Sequence, residues 1–296
     1  MRSLSNLTVP VRALLVLAWP AAAWASPTVC EAPEPYSFAS LSFVNHERAA
    51  LGAGNSYTDQ ETRDFALGFA DRSGAFTWGI AHRYEIVGFS GIEPQTNGHL
   101  HTTWLPLHWR FAAPRTWRIS VAPALSASSN VYGEPREWDG KTFTLLAAAV
   151  ATTRLSRRSS VRYGLCGDHR FGEYTLYPAA AFLWHPDARW RLELGFPVTS
   201  VRFEPSQRLR STLAVAPDGN AWQVADRELA ASSRLVYEAM ALEWTTEWRV
   251  LPTLALSVSL GRQLENRYEL TLADGARVAL DGAPADRLGF GIRWIF

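Results

Sequence analysis

Beyond Ala25 the chain has no stretch of 18 uninterrupted apolar residues, although 47% of its residues are hydrophobic. That absence excludes helical membrane spans. Charge of one sign is missing as well. With residues 1–25 set aside, 27 basic residues stand against 28 acidic ones, a net charge near −1. No basic stripe remains to gather phosphates and no nucleic-acid motif occurs, so nucleic acid is not expected as a partner. Only two cysteines occur, Cys30 and Cys166. No ligand-specific motif appears, and no cofactor is expected.

Residues 1–25 are set aside because they read as a secretory signal peptide. Arg2 and Arg12 precede an apolar stretch from Ala13 to Ala23 that is too short to span a bilayer, and Ala23-Trp24-Ala25 before Ser26 supplies a small-x-small cleavage site. Pro27-Thr28-Val29 before Cys30 lacks the pattern of a lipoprotein site. The expected organisation is a signal peptide over 1–25, an N-terminal tail over 26–35 and one β-barrel over 36–296.

What is present is alternation. Leu254, Leu256, Val258 and Leu260 alternate with Ala255, Ser257, Ser259 and Gly261. Trp190, Leu192, Leu194 and Phe196 alternate with Arg191, Glu193, Gly195 and Pro197, and Phe65, Leu67 and Phe69 alternate with Asp64, Ala66, Gly68 and Ala70. Period-2 patterning with one apolar face suits strands whose outer side meets lipid. The phase of the alanine-rich stretch 142–153 is ambiguous.

Turn signals come in two sizes. Short ones stand at 71–74, 113–115, 156–159, 186–188, 217–219 and 251–252. Longer polar connections lie at 90–98, 130–140, 167–173, 204–207, 228–233 and 271–286. Their alternation matches the tight periplasmic turns and longer outer loops of a closed antiparallel transmembrane barrel. Adding a strand over 36–47 and a first outer loop over 51–60 gives 14 strands. If 208–216 and 220–226 form an outlying hairpin instead, the count is 12. Trp78, Trp109, Trp117, Trp184, Trp190, Trp248 and Trp294 fall near short turns or the C-terminus, as expected of indoles at one membrane boundary.

Two resemblances follow. The run Leu288-Gly289-Phe290-Gly291-Ile292-Arg293-Trp294-Ile295-Phe296 resembles the C-terminal signal strand of Gram-negative outer-membrane barrels, implying the outer membrane as location, with its lipid and lipopolysaccharide as surroundings, and the barrel-assembly machinery as a partner reached through Phe296. Leu194-Gly195-Phe196-Pro197, Val201-Arg202-Phe203-Glu204-Pro205-Ser206 and Ala216-Pro217-Asp218-Gly219-Asn220-Ala221-Trp222 resemble the central segment of an uncharacterised family of outer-membrane barrels. Membership implies a fold and a location, and no activity.

By phase, the lumen should receive Asp64, Arg83, Glu85, His108, Arg110, Arg118, Arg162, Asp168, Arg191, Glu193, Glu243, Glu247, Arg249, Glu265 and Arg293. The functional expectation is a passive channel for small solutes or a structural envelope protein, and not an enzyme. The alternative is an outer-membrane lipid hydrolase using His82, which should face lipid in phase with Phe76, Trp78, Ile80, Tyr84 and Ile86. No His-x-Ser pair supports it, since Arg83-Tyr84 follows. His99 and His101 share a strand face, but no nearby cysteine or carboxylate completes a metal site. In an oxidising compartment Cys30 and Cys166 are candidates for a disulfide, which would draw the tail into the barrel as a plug.

Overall fold

The computed structural model describes residues 29–31, 33–34, 36–52, 56–90, 98–113, 115–226, 231–272 and 274–296. The signal-peptide segment lies outside them. Fourteen antiparallel strands form a closed wall: β1 (Phe38–His46), β2 (Tyr57–Ala70), β3 (Phe76–Ser90), β4 (His99–Trp104 with Leu107–Ala113), β5 (Arg115–Ser128), β6 (Phe143–Arg154), β7 (Ser159–Asp168), β8 (Thr175–Trp184), β9 (Trp190–Phe196), β10 (Thr199–Ser206), β11 (Leu209–Pro217 with Asn220–Asp226), β12 (Ala231–Leu251), β13 (Leu254–Thr271) and β14 (Arg277–Gly282 with Ala285–Ile295). Strands β1 and β14 close the cylinder in a register running from Phe38 opposite Ile295 to His46 opposite Arg287. Closure leaves no free sheet edge around the wall.

The wall sorts side chains by alternation. Leu254, Leu256, Val258 and Leu260 on β13 and Phe290, Ile292 and Trp294 on β14 point outward, and Ser257 and Ser259 point inward. The seven tryptophans near the short turns are all exposed on the outer face. The exposed apolar residues surround the barrel, a surface matched to hydrocarbon rather than water. In β6 the ambiguity resolves: Leu146, Ala148 and Val150 face inward.

Two readings from turn chemistry change. Pro217-Asp218-Gly219 is no turn. β11 runs through it, because both of its halves pair with β12 and Asp218 N–H donates to the Ala239 carbonyl at 2.8 Å. The turn that was missed is Pro197-Val198, between β9 and β10, where no Gly, Asn or Asp marks the chain reversal. The two differences cancel, so the wall still has 14 strands and no outlying hairpin. The connection at 204–207 consequently belongs to the short-turn end.

β10 reaches only to Thr199, opposite Val215, and beyond it that side of β11 turns toward β5. β11 crosses the mouth of the barrel, and Gln223 bridges to Ala127 of β5. Asn220 Nδ2 and Trp222 Nε1 both donate to Thr102 Oγ1, at 2.8 and 3.0 Å. Trp222, Leu235, Tyr237, Tyr268 and Leu270 belong to one apolar cluster there. A second apolar cluster includes the tail, joining Val29 and Cys30 with Phe38, Trp104, Leu146, Tyr177 and alanines of the inner wall.

Candidate functional site in the barrel lumen

Alternation of small and charged residues on neighbouring strands builds a belt of ion pairs inside the barrel. Arg83 holds Asp64 at 2.7 Å, and Glu85 beside it accepts from Gln60 Nε2 at 3.2 Å. Arg287 holds Asp218 at 2.9 Å and Glu243 at 2.7 Å. Glu247 is shared between Arg293, at 3.0 Å, and Arg210, at 3.5 Å. Arg162 pairs with Glu193. Arg210 Nε donates to Glu204 at 3.0 Å, while Arg191 and Arg202 stand 3.5 and 4.0 Å from the same carboxylate. Within the belt lies a cavity of about 90 Å³ bordered by Asp64, Arg83, Asp218, Glu243 and Arg287.

The N-terminal tail occupies the lumen and is fixed there. Cys30 and Cys166 form a disulfide with their Cα atoms 5.6 Å apart. Glu31 is held by Arg170 at 2.7 Å and Glu34 by Arg293 at 3.2 Å, and Arg118 donates to the Cys30 carbonyl. Tyr177 donates to Asp168 at 2.9 Å, and the same carboxylate accepts the Arg170 N–H. Among the described residues, the lumen arginines 83, 118, 162, 170, 191, 202, 210, 249, 287 and 293 outnumber the wall carboxylates 64, 85, 168, 193, 204, 218, 243 and 247 by two. The two carboxylates of the tail make up the difference.

The residues selected by phase are distributed as follows. Arg83, Glu85, Arg162, Arg191, Glu193, Glu243, Glu247 and Arg293 are in the belt. His108 points inward, with Nδ1 2.7 Å from Ser120 Oγ. Arg118 lies beside the tail, and Arg249 faces inward near the short-turn end. Arg110 sits exposed at that rim, donating to the Ser73 carbonyl. Glu265 is a correction. The register of β12 and β13 steps from Met240 opposite Glu265 to Ala241 opposite Gln263, so Leu264 is an extra residue in a bulge and Glu265 is turned outward. Gln263 and Asn266 take the inner positions. Arg202, Glu204 and Arg210 were passed over because the missed turn hid the phase of β10 and β11. Glu31 and Glu34 carry no signal at all, since the tail has no period.

His82 faces outward, as its phase indicates, and is not isolated. Its Nδ1 is 2.7 Å from Thr103 Oγ1, which is 2.7 Å from the Tyr132 hydroxyl. His82 Nε2 lies 3.5 Å from His101 Nδ1, and His101 Nε2 is 2.8 Å from Ser129 Oγ. One tautomer assignment satisfies the whole chain: Ser129 donates to His101, His101 to His82, and His82 to Thr103. His99 is bonded to the Tyr84 hydroxyl. Ser129 lies 28 residues from His101, so spacing could not reveal it. Among the described residues, no group of three or more His, Cys, Asp or Glu is placed to hold a metal ion.

Comparison with solved structures finds barrels similar in overall shape. One is an outer membrane channel from Pseudomonas putida F1, at 10% identity over 92% of this chain and 99% of that one, with a TM-score of 0.48. Another is the toluene transporter TodX of P. putida, at 8% identity over 94% of each chain, with a TM-score of 0.39. A third is the KdgM porin in complex with oligogalacturonate, at 7% identity over 87% of this chain and 99% of that one, with a TM-score of 0.38. No curated protein matches the chain by sequence. Residues 115–273, which include the segments between Leu194 and Trp222, match the family model described as Domain of unknown function (DUF6268), and the chain belongs to that family.

Proposed function

We propose that the protein is a channel of the Gram-negative outer membrane whose lumen is a pathway for small solutes, held shut by its own N-terminal tail. The observation that carries this reading is the tail itself, threaded through a charge-lined lumen and covalently attached to β7 by Cys30–Cys166. A barrel serving only as a scaffold could fill its interior from the wall, as smaller barrels do. The outer apolar face and the ring of tryptophans support placement in a bilayer, with outer-membrane lipid and lipopolysaccharide as surroundings. β14, ending at Phe296, fits engagement by the barrel-assembly machinery.

The test is conductance in a planar lipid bilayer. The oxidised protein should show little stepwise current, and Cys30→Ser or reduction should produce steps. A barrel that stays silent with its tail untethered sinks the channel and leaves a structural envelope protein.

A second reading, acyl-ester hydrolysis at the outer face, is favoured only by the chain Ser129–His101–His82, in which a hydroxyl is within transfer distance of a base whose other nitrogen is oriented. Labelling of wild type but not Ser129→Ala by a fluorophosphonate, together with release of fatty acid from phospholipid, would support it. Failure of the wild type to hydrolyse any lipid ester removes it.

A further inference from the structure

We propose that the lumen binds and passes an elongated solute carrying two carboxylates, and that Glu31 and Glu34 of the tail occupy its places in the closed state. This rests on the channel reading. The first observation is the pairing of the tail: Glu31 meets Arg170 at 2.7 Å and Glu34 meets Arg293 at 3.2 Å. Once the tail withdraws, Arg170 loses Glu31, Arg293 must share Glu247 with Arg210, and the arginines of the lumen exceed its carboxylates. Uncompensated buried cations are costly, so the emptied site favours an anion that restores the pairing.

The second observation is independent of the tail. Arg191 and Arg202 stand directly opposite each other on β9 and β10, a like-charge juxtaposition that destabilises a sheet unless something offsets it. Glu204 lies 3.5 Å from Arg191 and 4.0 Å from Arg202, and Arg210 already holds it. Arg202 is 4% exposed, and its Nε and Nη1 make no hydrogen bond. A carboxylate presents two oxygens to match the guanidinium fork and would satisfy the Arg202 nitrogens left without a hydrogen bond. Arg202 is linked to Glu34 through Glu204, Arg210, Glu247 and Arg293, so the unsatisfied guanidinium and the position of the second tail carboxylate belong to one network.

The spacing sets the solute. Glu31 is held by Arg170, just past the outer end of β7, and Glu34 by Arg293, two residues from the short-turn end of β14, so the two carboxylate positions stand at different heights in the lumen. A short diacid cannot bridge that separation, whereas a long dicarboxylate or an acidic oligosaccharide can.

The experiment is conductance by the full-length Cys30→Ser protein in a salt gradient, with azelate, malonate and acetate as blockers. Expected are a reversal potential displaced toward chloride, half-block by azelate at a concentration about tenfold below that for malonate, and loss of most of that difference in Arg202→Gln. Steps without chloride preference, or equal block by azelate and malonate, overturn the inference while leaving the channel intact. Absence of steps in Cys30→Ser, in protein still folded by heat-modifiable gel migration, overturns the channel reading itself.

Discussion

Gly219 lies so close to Gly172 that a β-carbon on Gly219 would stand 2.5 Å from the Gly172 nitrogen and 2.7 Å from the Arg170 carbonyl oxygen. This contact is where β11 leaves the wall and crosses the mouth against the 169–174 loop. Gly219→Val should force the two backbones apart, at about 1–3 kcal/mol of stability. Limited proteolysis should then cut near residues 169–174 faster than in wild type, and an unchanged rate would show that the mouth closes without this contact.

Arg287 is bonded to both Asp218 and Glu243 in the interior. Arg287→Met leaves two carboxylates without their shared cation and should cost about 3–5 kcal/mol in urea unfolding from lipid vesicles. Adding Asp218→Asn and Glu243→Gln should recover much of that loss. No recovery would mean that the arginine acts through packing rather than charge.

Val258 and Ser259 are consecutive on β13 and face opposite sides of the wall. Arginine at Val258 enters the apolar face and should cost about 2–4 kcal/mol. Glu265→Leu, on the outer side of the bulge, should be nearly neutral and leave single-channel conductance unaltered. A conductance change in Glu265→Leu would place that carboxylate back in the pathway.

His169 sits in the rim loop between β7 and β8, with Nδ1–H donating to the Gly172 carbonyl at 3.0 Å and Nε2 accepting from Thr144 Oγ1 at 3.1 Å. Burial holds its pKa below the ordinary histidine value of 6.5. Above that pH the ring is neutral both folded and unfolded, and the loop keeps its full stability. As pH falls below 6.5 the unfolded loop takes up a proton first, so stability declines until the folded ring also titrates. Amide exchange of residues 169–174 should quicken between pH 7.5 and 5, and His169→Asn should flatten the profile.

The wall was legible because strands with one apolar face repeat every second residue: β13, β9 and β2 can be read directly from Leu254–Leu260, Trp190–Phe196 and Phe65–Phe69. Departures came where the backbone breaks that period. Pro217-Asp218-Gly219 has turn chemistry yet stays paired to β12, because the ladder resumes at Asn220. Pro197-Val198 reverses the chain with no turn residue beyond the proline. One additional residue, Leu264, moved Glu265 to the other face. Nine of the fourteen charged residues of the belt were visible by phase. Arg202, Glu204, Arg210 and Asp218 depended on β10 and β11 being placed correctly, Arg287 stood at the edge of the connection read over 271–286, and the tail takes its conformation from partners far away in sequence.

The Cys30–Cys166 bond joins a segment just ahead of β1 to β7, nearly half the circumference away. It therefore acts as an internal spoke, bracing the cylinder against flattening when lateral pressure in the bilayer changes. Oxidation also locks the amino-terminal segment inside the cylinder, since the bond ties it to the inner face of β7.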